Sequence, residues 1–368
     1  MNDHAYMART LALAEKGLYS THPNPRVGCV IVRDGTVVGE GWHVRAGEPH
    51  AEVHALAQAG ELARGATAYV SLEPCSHHGR TPPCAEALVQ AGITRVVAAM
   101  RDPNPQVAGR GLGRLVDADI QVLCGVMADE ARELNIGFVR RMETGMPFVR
   151  VKMAMSMDGR TAMGNGESQW ITGPEARSAV QRLRARSSVV LTGADTVMTD
   201  RARMNVRAEE LGLDAELTEL AMRDQPMRVL VDGALRVPLS VPFFQAGPAL
   251  VVCATRGMPE DYAKHGHELL EMPATDGAGK VDLRNLIRSL GACGMNEVLV
   301  EAGPRLAGAF ARLGLVDEYQ LFMAPKFLGS GARPLLELPL EHMADAPQLD
   351  VKSIQPIGND WLITARPA

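Results

Sequence analysis

The strongest constraint on what this chain can fold into comes from two short segments, Pro49-His50-Ala51-Glu52 and Glu73-Pro74-Cys75 with Pro83-Cys84 following. For His50, Cys75 and Cys84 to act together, three separate stretches of backbone must return to one point. The local patterns allow it. Residues 50–59 and 84–91 have the apolar spacing of helices, and residues 67–72 form a continuous apolar run typical of a buried strand. His50 and Cys84 then open helices, while Cys75 leaves a strand. Ligands of open α/β sheets gather in that region, beyond the carboxyl ends of strands. The positive end of a helix there also favours thiolate over thiol.

The rest of the first half supplies the sheet. Met7, Leu11, Ala14 and Leu18 fall at helical spacing and predict a first helix ending near Gly17. Residues 27–32 and 37–42 are β-branched runs joined through Arg33-Asp34-Gly35, and Asp-Gly supplies the positive φ of a tight hairpin turn. Residues 95–100 and 120–123 read as further strands. Helices alternating with strands predict an α/β sandwich whose later strands are parallel.

Six cysteines (Cys29, Cys75, Cys84, Cys124, Cys253 and Cys293) are too sparse in 368 residues for a disulfide scaffold. Seven of the ten histidines (His4, His22, His43, His50, His54, His77 and His78) precede residue 79, so metal chemistry is expected in the N-terminal half. Three protein ligands leave the fourth position of zinc to water, as in catalytic sites, and zinc brings the pKa of such water from about 15.7 to roughly 7. Glu52, two residues beyond His50, is placed to take a proton from the water and hand it to a departing amine. The H-x-E…P-C…C order is the pattern of nucleobase deaminases, with a glutamate that is not a ligand. The usual two residues between the cysteines are here eight, Ser76 to Pro83. A closed structural site with His77 or His78 as fourth ligand is the alternative, and it leaves Glu52 without a task.

That insertion carries a resemblance. HPNPRVGCVIV, HAEVHAL, EPCSHHGRTPPC and DPNPQVAGRG resemble the N-terminal half of the bifunctional riboflavin-biosynthesis deaminase/reductase, and the likeness runs almost the whole chain. It implies a cytidine-deaminase-like α/β/α sandwich followed by a dihydrofolate-reductase-like α/β domain. It also implies a phosphorylated diaminopyrimidinone substrate, held by Asn24, His43, His77 and Arg80. Read alone, Asn24 is a turn residue between prolines, His43 caps or packs, and Arg80 suits a phosphate. His54 shares a helix face with His50 and reads as structural. Gly109-Arg110-Gly111-Leu112-Gly113 lacks a preceding strand and reads as a turn entering a helix, not as a dinucleotide fingerprint.

A chain of 368 residues suggests two domains at roughly 150 residues each. The boundary falls near Thr144-Gly145-Met146-Pro147, after an amphipathic stretch at 129–141, and gives domains of 1–145 and 147–368. The second half predicts strands near 149–155, 188–192, 227–231, 250–253, 297–301 and 319–324. Residues 298–306 read as a buried strand, a Gly-Pro turn and a helix start whose free N–H groups suit phosphate. Arg177, Arg182, Arg184 and Arg186 form a basic helix of which a phosphorylated substrate would use one or two.

By the resemblance, Ala154, Trp170, Thr196, Asp200 and Gly303 would contact NADPH. Ser168, Arg184, Met204, Arg207 and Glu301 would line the reductase substrate, with Lys152 and Asp158 close by. Arg201-Ala202 stands where the family has Asp-Pro. The expected cofactors are thus Zn2+ and NADPH. The implied second reaction is hydride delivery to the ribose C1′, for which the protein need only position the partners and exclude water.

A net charge of −5 argues against broad nucleic-acid binding, and with it against the competing reading as a tRNA or DNA nucleobase deaminase. A zinc-stapled binding module is the competitor from another class. The N-terminus reads as neither signal peptide nor membrane span, so a cytoplasmic homo-oligomer acting on a small molecule, with no nucleic-acid or membrane partner, is expected.

Overall fold

Asp34 and Gly35 both take positive φ, 50° and 76°, and turn strand β1 (Gly28–Arg33) back on β2 (Thr36–Trp42). The structure, a computed structural model, describes residues 2–76, 83–105, 107–274 and 279–368. Two compact units are present, Met1–Met146 and Pro147–Ala368.

In the first unit β3 (Thr67–Val70), β4 (Arg95–Ala98) and β5 (Gln121–Cys124) complete a sheet of order β2-β1-β3-β4-β5. The last three strands are mutually parallel, and β1 runs antiparallel to both neighbours. Alternation along β1 sorts the core into two layers. Cys29 and Ile31 pack with Ala51, Ala55, Leu88 and Leu115, on the side of helices α2 (Ala51–Ala59), α3 (Cys84–Gln90) and α4 (Arg110–Val116). Val30 and Val32 pack with Met7, Leu11, Ala131 and Phe138, on the side of α1 (Asp3–Glu15), α5 (Ala128–Leu134) and α6 (Ile136–Thr144). This is an α/β/α sandwich. The amphipathic stretch at 129–141 is two helices, broken at Asn135, whose buried amide exchanges hydrogen bonds with the Arg26 backbone.

Close approach of α2 to the sheet depends on glycine. A Cβ at Gly39 would stand 2.2 Å from the Ala55 carbonyl oxygen, and one at Gly41 2.4 Å from that of Ala51. Both contacts lie well inside van der Waals distance, so β2 accepts the backbone of α2 directly.

The second unit contains β6 (Phe148–Ser156), β7 (Arg160–Ala162), β8 (Val189–Gly193), β9 (Met227–Val231), β10 (Leu250–Cys253), β11 (Glu268–Glu271), β12 (Glu297–Glu301), β13 (Glu318–Ala324), β14 (Arg333–Pro334), β15 (Leu349–Ile357) and β16 (Asp360–Pro367). Nine form one sheet, in the order β11-β10-β9-β8-β12-β6-β13-β16-β15, and β7 pairs with β14 apart from it. The seven strands from β11 to β13 are parallel; β16 and β15 are antiparallel. Central strands covered on both faces, such as β8 and β12, are continuous apolar runs, which is why the sequence exposes them.

At the amino ends of these strands the interior holds charge. Arg150 lies between Glu318, at 2.8 Å, and Glu297, and Arg366 also reaches Glu318, at 2.9 Å. All three members of the central triad are about nine-tenths buried or more. No helix among the described residues is long and apolar enough to cross a membrane.

Candidate functional site

His50 occupies the N-cap position of α2 in extended conformation, and Cys84 is the first residue of α3. Cys75 follows the exit from β3. Their ligand atoms lie within 4.8 Å of one another. The Nδ1 of His50 is 3.3 Å from the Cys84 Sγ and 3.7 Å from the Cys75 Sγ. Ligands about 2.0 and 2.3 Å from one tetrahedral zinc must stand about 3.5 Å apart, so this donor set fits the ion. The acid–base chemistry of the pair agrees. Cys75 is held below the ordinary thiol range by the Cys84 thiol and then by His50, whereas Cys84 is pushed up because its S–H is kept as the donor to the Cys75 sulfur and because it is buried, so the two do not ionise together. A dication between them removes that conflict.

Glu52, in the first turn of α2, is 2% exposed, and burial pushes its carboxyl above the usual glutamate value. Its Oε2 has no hydrogen-bond partner among the described residues. An orphaned carboxylate oxygen beside three metal donors is what a proton-transferring group requires before substrate arrives.

His43 stacks edge-on against His50, ring centroids 5.2 Å apart. The Pro49 carbonyl accepts from its Nδ1–H at 3.2 Å, which leaves Nε2 to accept from the Asn24 amide at 3.1 Å. Burial lowers the His43 pKa, consistent with that neutral tautomer. Asn24 is also the turn residue anticipated, its N–H donating to the Thr21 carbonyl at 2.8 Å. His54 lies outside the donor group; its Cβ sits 2.5 Å from where a Gly41 side chain would begin. His77 and Arg80 lie outside the described residues.

In the second unit one cavity of about 1710 Å³ is lined by Lys152, Ala154, Ser168, Trp170, Arg184, Thr196, Asp200, Met204, Arg207, Glu301 and Gly303, eleven of the twelve residues that the resemblance singled out there. They converge from the carboxyl halves of β6 and β12, from α7 (Pro174–Arg186) and α8 (Ala194–Asp200), and from the connecting segments. A single-ligand pocket is typically about 300–1,000 Å³, so this cavity has room for a dinucleotide and a substrate together. Gly303 caps the helix Pro304–Arg312 and its N–H donates to the Thr196 Oγ1 at 3.2 Å. The N-terminus of that helix borders the cavity, as a diphosphate requires. The residues fit NADPH.

Electrostatics subdivide the cavity. Arg184 forms a forked pair with Glu301, at 2.5 and 2.9 Å, and its remaining reach goes to the Asn205 carbonyl at 3.1 Å and the Met204 sulfur at 3.6 Å. Lys152 sits beside Glu301, Arg184 and Asp200, and burial pulls its pKa down. Ser168 donates to Asp200 at 2.8 Å. Arg177 stacks on Trp170 at 4.6 Å. Of the four arginines flagged on α7, Arg177 and Arg184 border the cavity, whereas Arg182 bonds the Leu211 carbonyl and Arg186 pairs with Glu297. Arg201 and Ala202, the departures from the family pattern, also border it.

Asp158, the twelfth, was expected close by the substrate. It does not line the cavity but tethers a turn, accepting from the N–H groups of Leu328 and Gly329 at 3.1 and 2.8 Å. Sequence reasoning missed Glu210, which grips Arg207 through two contacts of 2.7 and 2.6 Å, because an acidic helix start carries no sign of its partner. It also missed Glu73, although that residue adjoins the metal motif.

An α/β/α unit with a His/Cys/Cys centre and a buried glutamate, joined in one chain to a parallel-sheet unit with a dinucleotide-sized cavity, defines a zinc deaminase combined with a nicotinamide-dependent reductase. Comparison with known proteins agrees. Residues 1–100 match the cytidine and deoxycytidylate deaminase zinc-binding region, and residues 147–363 match the RibD C-terminal domain. The chain is 52% identical over 364 residues to the riboflavin biosynthesis protein RibD of Escherichia coli, covering 98% of both chains. It is 48% identical to that of Haemophilus influenzae, covering 99% of this chain and 97% of that one. The solved structure of Acinetobacter baumannii RibD superposes with a TM-score of 0.91 at 45% identity, covering 100% of this chain and 99% of that one. A Thermotoga maritima protein described as a diaminohydroxyphosphoribosylaminopyrimidine deaminase/5-amino-6-(5-phosphoribosylamino)uracil reductase superposes at 0.85 with 31% identity, covering 100% and 99%. The chain belongs to the RibD family: it is a riboflavin-biosynthesis enzyme with deaminase and reductase activities, dependent on Zn2+ and NADPH.

Proposed function

We propose that the unit Met1–Met146 deaminates 2,5-diamino-6-(5-phosphoribosylamino)pyrimidin-4(3H)-one and that the unit Pro147–Ala368 then reduces its ribosyl group to ribityl phosphate. The observation that carries the first step is the juxtaposition of three converging metal donors with the orphaned Glu52 oxygen. Bound zinc supplies the Lewis acidity that makes water a nucleophile near neutral pH. Glu52 takes the water proton and returns it to the leaving amine, so that water and the amino compound become the oxo compound and ammonia. Asn24 and His43 orient the pyrimidine, with His77 and Arg80 assigned to the same substrate.

In the second step the nicotinamide of NADPH supplies hydride to C1′, and a proton completes the opening of the sugar to a ribityl chain. Ala154, Trp170, Thr196, Asp200 and Gly303 hold the cofactor; Lys152, Ser168, Arg184, Met204, Arg207 and Glu301 hold the substrate. The forked Arg184–Glu301 pair supports this reading by fixing one cavity wall without mobile charge.

The proposal extends to a cytoplasmic homo-oligomer. Support for self-association is edge strand β15, where Leu349, Val351 and Ile354 are 42%, 51% and 62% exposed. Light scattering on the purified chain tests self-association. The reactions are tested by following ammonia and NADPH together. Ammonia is expected from the diaminopyrimidine without NADPH, and NADPH oxidation only with the deaminated product. NADPH consumption that ignores the deaminated product would overturn the second assignment.

A further inference from the structure

Glu73 stands two residues before Cys75 and is 3% exposed. Its carboxylate receives four backbone N–H groups. Oε2 accepts from Asp102 at 3.2 Å and Gly109 at 2.9 Å; Oε1 accepts from Gly111 at 2.9 Å and Leu112 at 3.2 Å. Gly109 is the N-cap of α4, with φ of 78°, and Gly111 and Leu112 are in its first turn. N–H groups at a helix start otherwise turn to water or to an external anion. Here an internal carboxylate saturates them, so the glycine-rich 109–113 stretch is a receptor for Glu73.

Sterics close the same junction. A Cβ on Gly111 would stand 1.9 Å from the Pro74 carbonyl oxygen, so α4 presses directly on the residue between Glu73 and the metal ligand. On the other side of Pro74, the Cys75 carbonyl accepts from the Ala85 N–H at 3.1 Å, and the Cys75 sulfur from the Cys84 N–H at 3.3 Å. Cys75 is therefore suspended between two helix N-termini: α3 grips it directly, and α4 grips it through Glu73.

We infer that Glu73 is a positioning residue for the metal ligand Cys75, setting where its sulfur stands by locking the Glu73–Pro74 backbone onto α4. A carboxylate suits the task because it accepts at both oxygens and donates nothing; a glutamine would turn an NH2 group toward two of the four N–H donors. Outer-sphere partners of metal ligands are commonly worth about 10–100-fold in metal affinity.

The inference rests on Cys75 being a zinc ligand, and the test separates the two ideas. Full-length, zinc-loaded wild type, Glu73→Gln and Gly111→Ala are compared for the rate of zinc transfer to a chromophoric chelator and for the visible absorption of the Co(II)-substituted proteins. Far-UV circular dichroism reports folding. Both variants are expected to release zinc about 10–100-fold faster and to show shifted cobalt bands. Gly111→Ala puts a better helix former into α4, so a purely helical role would leave its zinc release unchanged or slower. If Glu73→Gln fails to fold, Gly111→Ala decides alone. A folded variant that keeps the wild-type release rate and cobalt spectrum overturns the positioning role. A wild type that binds no zinc overturns the ligand assignment instead.

Discussion

Neutralising Glu301 should loosen the second unit far more than the loss of one hydrogen bond would. Glu301 and Arg184 meet at 2.5 and 2.9 Å, with side chains 7% and 10% exposed. Glu301→Gln keeps the shape and leaves the guanidinium inside without its counter-charge. Removing one member of a buried pair typically costs about 3–5 kcal/mol. The Asn205 carbonyl and Met204 sulfur still hold Arg184, which places the expected loss near the lower bound, about 3 kcal/mol. For a unit of the size of Pro147–Ala368 that is a fall of about 6–12 °C in Tm. Tryptophan fluorescence reads it in a Trp42→Phe background, because Trp170 and Trp361 then report the second unit alone. Pairing Glu301→Gln with Arg184→Met should recover much of the loss, since replacing both charges by shape-matched neutral groups is often close to neutral. A single Glu301→Gln variant within about 0.5 kcal/mol of the parent, or a double variant as unstable as the two losses summed, would refute the argument.

Glu52→Gln should retain zinc yet lose about 10²–10⁴-fold in deamination rate, with the reductase rate unchanged; ammonia release at the parental rate by zinc-loaded variant excludes the proton-transfer role. Chelation of zinc should stop ammonia release while NADPH oxidation with separately supplied deaminated product continues, and a parallel loss of both would contradict the division of labour. Acid should destabilise the second unit through Glu318. Burial alone would raise its pKa, but Arg150, Gln320 and Arg366 together outweigh burial and hold it below the ordinary value of 4.5. A depressed carboxyl contributes its stability above the ordinary value and loses it as pH falls through the depressed one, so the fluorescence-detected Tm should decline below about pH 4.5. A Tm that rises from pH 4.5 to 3 has the wrong sign for this account.

The metal centre was legible because its chemistry needs residue types rare in ordinary cores at helix and strand ends, where local pattern already places them. The buried parallel strands β8, β9, β10 and β12 were legible as short apolar runs. β15 and β16 escaped notice for the opposite reason. Lys352 and Pro356 interrupt β15, its residues are largely exposed, and a bulge between Val351 and Ser353 breaks the alternation. Of the reductase cavity, the residues alone announced the Gly303-Pro304 helix start and the basic helix of Arg177 and Arg184; the rest came through resemblance, since Lys152, Arg184 and Glu301 lie far apart in sequence and nothing local announces their meeting. Glu73 was hidden likewise: its four partners are backbone groups, and backbone carries no letter.

The glycines of β2 give the first unit an unusual mutational geography. Gly39 and Gly41 donate nothing to zinc, yet each lets the backbone of α2 come within reach, and α2 carries His50 and Glu52 at its start. Selection on catalysis therefore reaches two codons on a strand with no reactive side chain. A genetic screen for deaminase-null alleles would map hits there as if to a second site, when what those alleles alter is the distance from the sheet to the helix that bears the first.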